Sequence, residues 1–350
     1  MGMDSWRLRN GDDTPTQEDY ARAQNPVAGV VRSWLRKARR LRLINYPVRV
    51  CIRAGYRLFA ELRSRWPVSG TVEVTYETLK FKLHNRADDS FVQIFYYGLT
   101  YKEPHILAIT SAFASKCSVI LDIGANTGVD SLMIALRNPS TTIIAIEPYS
   151  PNYDRMVANL ALNGIRNVIP KKIALGSRRG TIDLFVPTDG RIIDSLSAVE
   201  GMGETVYGKQ VRWKKIQVDQ CALDDILDEV TSVGFFKCDV DGYEMDVFRG
   251  ATAFFALHLP TFIVEIVLNP DSVAFFNGFA TEHSYTIYYL TREGLIRLDE
   301  LQELDRWGDF LFSQYRHAPR FVPASQFGAF VDAAWSAAKG TLAGDADRGR

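Results

Sequence analysis

Five short apolar segments, separated by stretches with helical periodicity, constrain the fold of this chain more than any other feature. Each segment is continuously apolar rather than alternating, which is typical of strands buried on both faces. Parallel strands need helical crossovers between them, and the intervening stretches have the apolar spacing of helices. The sequence therefore predicts an α/β fold with a doubly wound, mainly parallel sheet. The five segments are SVILDIG (118–124), TTIIAIE (141–147), NVIPKKIAL (167–175), GFFKCDV (234–240) and TFIVEIV (261–267).

The regions around these segments divide the chain into four predicted parts. A polar N-terminus is predicted to be disordered, and a basic helical hairpin follows it, with eleven Lys or Arg and one acid between 32 and 65. An inserted pair of strands is predicted between 180 and 221, and two late strands close the sheet. The predicted boundaries are 1–26 for the disordered segment, 27–70 for the hairpin, 71–320 for the sheet domain, and 321–350 for a C-terminal helix (about Ser325 to Ala338) with a polar tail.

Composition excludes several classes of protein. The four cysteines are far apart and form no C-x-x-C pair, which argues against a zinc site or a disulfide framework and favours a reducing compartment. The N-terminus has no apolar signal core, and no apolar run is long enough to cross a bilayer. The net charge is zero, and no nucleic-acid-binding motif is recognisable. We therefore expect a cytoplasmic protein with no nucleic-acid partner.

The turn after the first segment reads LDIGANTG, and the second segment ends in Glu147. Gly124 and Gly128 let the backbone approach a ligand closely, and a carboxylate at the end of the second strand can accept hydrogen bonds from ribose hydroxyls. The spacing D-x-G-x-x-x-G differs from the pyrophosphate-binding G-x-G-x-x-G, and Asp122 places a carboxylate beside the turn. The pattern favours a ligand with a ribose and a cationic end. The alternative is a purely structural strand–helix turn.

Six stretches, in the same order, resemble the FkbM-type methyltransferase family. The stretches are LDIGANTG, IAIEPYSPNYDRMVANLALNG, KIALGSRRGTIDLF, ALDDIL, FFKCDVDGYEMDVFRGA and TFIVEI, and the resemblance covers about 90–315. It implies a class I S-adenosylmethionine-dependent methyltransferase fold, which is Rossmann-like, with a seven-stranded sheet whose last strand is antiparallel. It also implies methyl transfer to oxygen, commonly on sugars, glycolipids or polyketide-like metabolites.

The same resemblance places individual residues around the cofactor. The residues that it implies for S-adenosylmethionine binding are Asp122, Gly124, Asn126 and Gly128 around the methionine part, Glu147 at the ribose, and Ile173 and Ala174 near the adenine. The sequence departs from the family at position 241, where the family often has Glu and this chain has Asp. A carboxylate shorter by one methylene is either equivalent there or reaches a different atom.

The fourth segment runs into three carboxylates, Asp239, Asp241 and Glu244, in FFKCDVDGYE. In an open α/β sheet this end of a strand faces the ligand cleft, and residues two apart on an extended strand point to the same face. Lys237 is predicted to share the face of Asp239, and Glu265 lies at the end of the next strand. The candidate catalytic residues are therefore Asp239, Glu244, Lys237 and Glu265.

Four interpretations of these acids stay open. In the first, which is favoured, Asp239 is a general base or orienting group for an acceptor hydroxyl. In the second, which is not favoured, Asp239 and Asp241, with or without Glu244, hold Mg²⁺, and Glu265 is the further ligand within reach. In the third, D-x-D marks a nucleotide-sugar transferase. In the fourth, the acids only cap and begin the following helix.

The sequence as a whole predicts an S-adenosylmethionine-dependent O-methyltransferase whose acceptor is a small molecule or a lipid-linked glycan. The basic hairpin at 27–66 either packs on the catalytic domain or contacts a membrane peripherally. The alternative function is a non-catalytic cofactor-binding or scaffold protein that keeps the methyltransferase fold.

Overall fold

The chain divides into two compact units, residues 1–69 and 70–350. The computed structural model of the protein describes residues 46–47, 50, 68–86, 89–98, 101, 103–188, 213–229, 232–303 and 307–348. The predicted disordered segment lies outside these residues, and so does most of the predicted basic hairpin (27–70). Of the hairpin, positions 46, 47 and 50 are helical and exposed, position 68 lies in neither a helix nor a strand, and positions 69 and 70 belong to the start of a strand rather than to a helix. The second unit contains the sheets and the candidate site.

The helices and strands of the described residues are numbered in chain order. The strands are β1 (Ser69–Tyr76), β2 (Leu79–Arg86), β3 (Val119–Ile123), β4 (Thr142–Ile146), β5 (Val168–Lys171), β6 (Ala174–Leu175), β7 (Gly180–Pro187), β8 (Trp213–Cys221), β9 (Val233–Cys238), β10 (Thr261–Val267), β11 (Thr286–Leu290), β12 (Gly294–Leu298), β13 (Trp307–Ser313) and β14 (Phe321–Pro323). The α-helices are α1 (Ser90–Tyr97), α2 (Pro104–Ala114), α3 (Val129–Arg137), α4 (Ser150–Leu162), α5 (Glu244–Arg249), α6 (Thr252–His258), α7 (Pro270–Glu282) and α8 (Phe327–Arg348).

Nine of these strands form the main sheet, in the order β14-β12-β11-β13-β10-β9-β3-β4-β5. The five strands from β10 to β5 run parallel, and β13 inserts antiparallel between β10 and β11. The predicted α/β fold and its antiparallel closing strand are confirmed. The predicted count of seven strands is wrong, because β12 and β14 continue the sheet beyond β11 through antiparallel pairs.

Two neighbouring side chains of the central strand β9 show why both faces of the sheet are covered. Phe235 stacks on Phe113 of α2, with ring centroids 4.8 Å apart. Phe236 stacks on Phe262 of β10 and contacts Phe248 of α5. Successive side chains on a strand point to opposite faces, so the two phenylalanines belong to different layers. Both are almost completely buried, and each burial stabilises the fold by about 2 kcal/mol.

Two smaller sheets complete the second unit. One is the β1–β2 pair, and the other has the order β6-β8-β7. The sequence predicts a single strand over 167–175, but β5 ends at Lys171 and β6 pairs with β8 instead. Pro170 has no N–H to donate, which restricts β5 to the sheet edge and favours an early end. The inserted strands predicted between 180 and 221 are β7 and β8, which pair antiparallel.

The C-terminal helix α8 is longer than the sequence predicts. It reaches Arg348, so the predicted polar tail is mostly helical. The physical reason is that no proline follows Pro323, and nothing else in that stretch prevents helix formation. No helix among the described residues is both long enough and apolar enough to span a bilayer.

Gly124 fixes how the turn after β3 meets the end of β9. Its φ is 84°, in the left-handed region that favours glycine. A Cβ at this position would lie 1.8 Å from the carbonyl oxygen of Asp239. The sequence suggests that this glycine makes room for a ligand, whereas in the structure it makes room for the neighbouring main chain. The two turns that border the candidate site are therefore in direct backbone contact.

We expect Gly124→Ala to lower the free energy of unfolding by about 3 kcal/mol or more, since it adds both a steric clash and a disfavoured φ. Urea unfolding followed by circular dichroism measures this change. Gly278→Ala is a matched control in α7, because a Cβ there meets nothing within 4 Å. It should leave stability unchanged or raise it by up to about 1 kcal/mol. Equal stability of the two variants would contradict the role of Gly124.

Candidate active site

A cavity of about 470 Å³ lies at the carboxyl ends of β3, β4, β9 and β10. This is the position where open α/β sheets bind ligands, and the volume is typical of small-molecule sites. All of the residues that the sequence predicts for the site line this cavity except Gly128 and Glu244. The sheet topology thus brings together two sequence motifs that are more than a hundred residues apart.

The turn after β3 is held by buried contacts. Asp122 is buried and accepts a hydrogen bond from the hydroxyl of Ser131 in α3. Burial raises the pKa of Asp122, while the charge of Lys237 and this hydrogen bond lower it. Gly128 precedes α3 with φ 74°, and a Cβ there would lie 2.5 Å from Cγ of Met156. Gly128 therefore serves the packing of α3 on α4 and does not line the cavity.

Glu147 joins two loops just after β4. Its side chain is buried, and its two oxygens accept the backbone N–H of Asn126 at 3.0 Å and of Tyr149 at 2.8 Å. Burial raises the pKa of Glu147 to about 7, although the two hydrogen bonds lower it. Each carboxylate oxygen can accept more than one hydrogen bond. Glu147 is therefore held in place by the backbone and can still accept bonds from a ligand.

Asn152, in the first turn of α4, also lines the cavity, and the sequence reasoning missed it. Its side chain is 3% exposed, and its Nδ2 has no hydrogen-bond partner in the part of the chain that the structure describes. An unpaired buried N–H is costly. The atom therefore marks a place for an acceptor from a ligand. The sequence offered one signal for Asn152, namely that a polar residue stands five positions after Glu147.

Lys237 lies among carboxylates at the centre of the sheet. It pairs in register with Asp122 of the neighbouring strand, and its Nζ donates to Oδ2 of Asp239 at 2.7 Å. Burial lowers the pKa of Lys237, but four carboxylates raise it, and the result is well above the ordinary value. In order of effect they are Asp239, Asp122, Asp130 and Glu103. Lys237 is thus positively charged over the whole working pH range.

Asp130 and Glu103 are further acids of this cavity that the sequence reasoning missed. Asp130, in the first turn of α3, accepts a 2.6 Å hydrogen bond from the hydroxyl of Tyr101, and burial raises its pKa. Glu103 directly precedes α2, but its side chain makes no capping hydrogen bond. Burial, and after it the charge of Asp239, raises the pKa of Glu103 to about 8. Neither Asp130 nor Glu103 lies in a sequence motif whose spacing would indicate a functional residue.

The chain turns sharply after β9, which corrects one expectation. The sequence predicts an extended strand through residue 240, but β9 ends at Cys238. Asp241 (φ 52°) and Gly242 (φ 96°) both take the left-handed conformation. Asp239 and Asp241 therefore line the cavity from a turn rather than from one face of a strand.

Glu244 has its carboxylate inside that turn. It is 4% exposed, and its Oε1 accepts the backbone N–H of Val240 at 3.0 Å and of Gly242 at 3.1 Å. Burial raises the pKa of Glu244 to about 7, while backbone hydrogen bonds lower it. The geometry gives Glu244 a part in shaping the turn that carries Asp239 and Asp241.

Glu265 lies near both of these aspartates. One oxygen each of Asp239, Asp241 and Glu265 lies within 4.8 Å of the others, which is the set that the Mg²⁺ interpretation requires. Burial raises the pKa of Glu265 far above its ordinary range, and the charges of Asp239 and Asp309 raise it further. Glu265 therefore holds a proton near neutral pH. Of these three carboxyls, Asp239 already has a cationic partner in Lys237.

The lining of the cavity is strongly acidic. Of the lining side chains, seven are acids and one is basic, namely Lys237. The acids are Glu103, Asp122, Asp130, Glu147, Asp239, Asp241 and Glu265. This balance disfavours phosphate-bearing ligands and favours neutral or cationic ones.

Comparison with known proteins agrees with this geometry. Residues 122–294 match the family model described as the Methyltransferase FkbM domain. The chain therefore contains a region, 122–294, that belongs to the FkbM methyltransferase family. The resemblance noted in the sequence is thereby confirmed.

Two curated relatives of this chain are both methyltransferases. "Methyltransferase 1" of Beauveria bassiana (strain ARSEF 2860) is 28% identical over 144 residues, which is 38% of this chain and 58% of the relative. "Methyltransferase sdnD" of Sordaria araneosa is 28% identical over 153 residues, which is 37% of this chain and 59% of the relative. The chain thus matches less than two thirds of the length of either relative.

Among solved structures, the FkbM methyltransferase from Methylobacillus flagellatus KT is similar to this chain. The identity is 16%, the match covers 64% of this chain and 55% of that one, and the TM-score is 0.38. Several cavity residues of the present protein lie outside the FkbM domain match at 122–294. They are Phe91, Glu103 and Trp307. The cavity is therefore built partly from segments that flank the family domain.

The raised pKa values of the buried carboxyl groups in and near the cavity predict how the stability of the folded state depends on pH. Glu103, Glu147 and Asp309 have pKa values of about 8, 7 and 7, each raised first by burial. Such groups hold protons in the folded state that the unfolded chain has already lost, so stability falls as pH rises through these values. The melting temperature should therefore decrease between about pH 7 and about pH 8.5. Below that range, His105 and His258 oppose the trend, because burial lowers their pKa values.

Differential scanning calorimetry across this pH range provides the measurement. Asp309→Asn removes one of the titrating groups without a large change in volume. It should raise the melting temperature at the alkaline end and flatten the dependence. A melting temperature that rises with pH in the wild type would show that these carboxyls are not protonated in the folded state.

Proposed function

We propose that the chain transfers the methyl group of S-adenosylmethionine to a hydroxyl oxygen of a neutral, polyhydroxylated acceptor. The observation that supports it best is the buried Glu147 carboxylate, held by two backbone amides in the cavity of an FkbM-family domain. The acceptor class includes sugars, small glycans on lipids, and polyketide-like metabolites that carry several hydroxyls.

The lining residues fit the cofactor. Glu147 would accept hydrogen bonds from the ribose hydroxyls, and the unpaired Nδ2 of Asn152 would donate to the same end of the molecule. Ile173 and Ala174 would contact the adenine, and the turn from Asp122 would hold the methionine part. The acidic lining suits a cofactor with a sulfonium, an ammonium group and no phosphate. When bound, S-adenosylmethionine supplies an electrophilic methyl group.

The acceptor side combines carboxylates with apolar rings. Trp307 is 45% exposed and lines the cavity, and so do Phe91 and the carboxyls of Glu265 and Asp241. Carboxylates accept hydrogen bonds from hydroxyl groups, while an exposed ring offers a flat apolar surface to the C–H groups of a sugar. An acceptor with a phosphate or a carboxylate would meet the seven lining acids. These features support a neutral acceptor with several hydroxyls.

Asp239 and Lys237 would orient the acceptor. Their ion pair at 2.7 Å fixes both side chains at the end of β9, where the cavity lies. Alignment of the acceptor oxygen with the methyl–sulfur bond is a large part of the catalysis of such a transfer. Contact of the basic segment 27–66 with a membrane that carries the acceptor remains part of the proposal, and it concerns residues outside the described ranges.

We expect the wild type to bind S-adenosylmethionine and Glu147→Ala to bind it at least about 10-fold more weakly, because the hydrogen bonds from the ribose hydroxyls to the Glu147 carboxyl group are lost. Isothermal titration calorimetry measures both affinities. Glu282→Ala, at an exposed position of α7, is the control and should bind like the wild type. ATP, which carries phosphates, should not bind to the acidic cavity.

A wild type that does not bind S-adenosylmethionine would refute the proposal. A wild type that binds it without ever forming S-adenosylhomocysteine would favour the non-catalytic alternative.

We also expect methyl transfer to continue after metal removal. One of the three carboxylates that a divalent ion would need, Asp239, is already paired with Lys237, and a metal ion would have to compete with that ion pair. The enzyme should keep its rate after dialysis against EDTA, and added MgCl₂ should change it less than about twofold. Loss of activity with EDTA and recovery with MgCl₂ would instead support the interpretation in which Asp239, Asp241 and Glu265 hold Mg²⁺.

A further inference from the structure

Glu103 has an unusual position for a helix-start acid. It directly precedes α2, in the place of an N-cap, yet its side chain does not cap the helix. The carboxylate instead lines the cavity, half-buried. It is close enough to the Lys237–Asp239 pair for their charges to act on it. The side chain is thus directed to the cavity and away from its own helix.

Most of the other cavity acids already have partners. Asp239 bonds to Lys237, while Asp122, Asp130 and Glu147 are held by Ser131, by Tyr101 and by backbone amides, respectively. Within the described ranges, the carboxyl groups of Glu103 and Glu265 make neither a hydrogen bond nor an ion pair. These two carboxyls are therefore candidates for direct contact with an acceptor.

Burial and neighbouring charges separate the two carboxyls. Burial raises the pKa of Glu265 far above neutrality, so this group stays protonated and can donate a hydrogen bond. The pKa of Glu103 rises only to about 8, which allows it to lose and regain a proton near working pH. The charged groups that act on Glu103 come from β9 and the turn after it, from α3 and from β13. They are Asp239, Lys237, Asp130 and Asp309.

We propose that Glu103 is the general base that accepts the proton of the acceptor hydroxyl, and that Asp239 orients the acceptor instead of deprotonating it. This role rests on the proposed methyl transfer. As the acceptor O–H proton moves to a carboxylate oxygen of Glu103, the hydroxyl oxygen forms the new bond to the methyl carbon. The methyl–sulfur bond breaks and its electron pair stays on sulfur, which gives neutral S-adenosylhomocysteine. Glu103 then releases the proton to water.

The test uses the full chain, tritiated S-adenosylmethionine as donor, and a metabolite extract of the cells that carry the gene as the source of acceptor. Glu103→Gln should lower label transfer by about 100-fold or more while its affinity for S-adenosylmethionine stays within about twofold of the wild type. Glu73→Gln, an exposed acid of β1, is the matched control and should transfer label like the wild type. Melting temperatures confirm that each variant is folded.

The pH profile separates a base from a merely structural residue. Wild-type transfer should rise with pH to a plateau, with an inflection near 8 that Glu103→Gln lacks. Asp239→Asn should lower the rate but keep an inflection, displaced to lower pH, because the charge of Asp239 helps to raise the pKa of Glu103.

Each of the other possible results overturns the proposed role of Glu103. A Glu103→Gln variant that transfers label at the wild-type rate, or that keeps the inflection, overturns the role of Glu103 and leaves the methyltransferase proposal intact. Loss of the inflection in Asp239→Asn assigns the base to Asp239 and also overturns it. A wild type that binds S-adenosylmethionine but transfers no label overturns both proposals together.

Discussion

A single buried ammonium group, Nζ of Lys237, is the interaction on which the cleft depends. It is the only basic side chain among the described residues that line the cavity, and four carboxylates surround it. Burying so many acids without a cation would cost far more than a folded domain can tolerate. Because Lys237 lies on the central strand β9, the sheet itself provides this charge. The charge of Lys237 lowers the pKa values of Asp122, Asp130 and Glu103, and so opposes the effect of burial on these acids.

The sequence predicts the scaffold of the site better than its chemistry. The five apolar segments and the position of Glu147 follow from local patterns, since strand periodicity and the strand-end location are visible in a single stretch. Glu103 and Asn152 are not predictable in this way, because their importance depends on which side chains around them lack partners. The role of Glu244 in the turn after β9 could not be predicted from the sequence either. A turn whose amides need an acceptor is recognisable only when the conformation of Asp241 and Gly242 is known.

The cavity combines residues of the family domain with residues from outside it. The turn after β3, Glu147 and Asn152 lie within the family domain at 122–294, while Phe91, Glu103 and Trp307 come from segments on either side of it. Under the proposed function, the residues assigned to the cofactor all lie in the shared domain, whereas the proposed acceptor side also uses residues from outside it.

The backbone contact between Gly124 and Asp239 has a consequence for how such a protein can diverge. The main chain that borders the cofactor turn touches the main chain that carries the acceptor-side carboxylate, with no side chain between them to absorb a displacement. A shift of one turn must be accompanied by a shift of the other. Divergence at either wall would therefore have to change both walls together, because a displacement of the end of β9 displaces the turn after β3 as well.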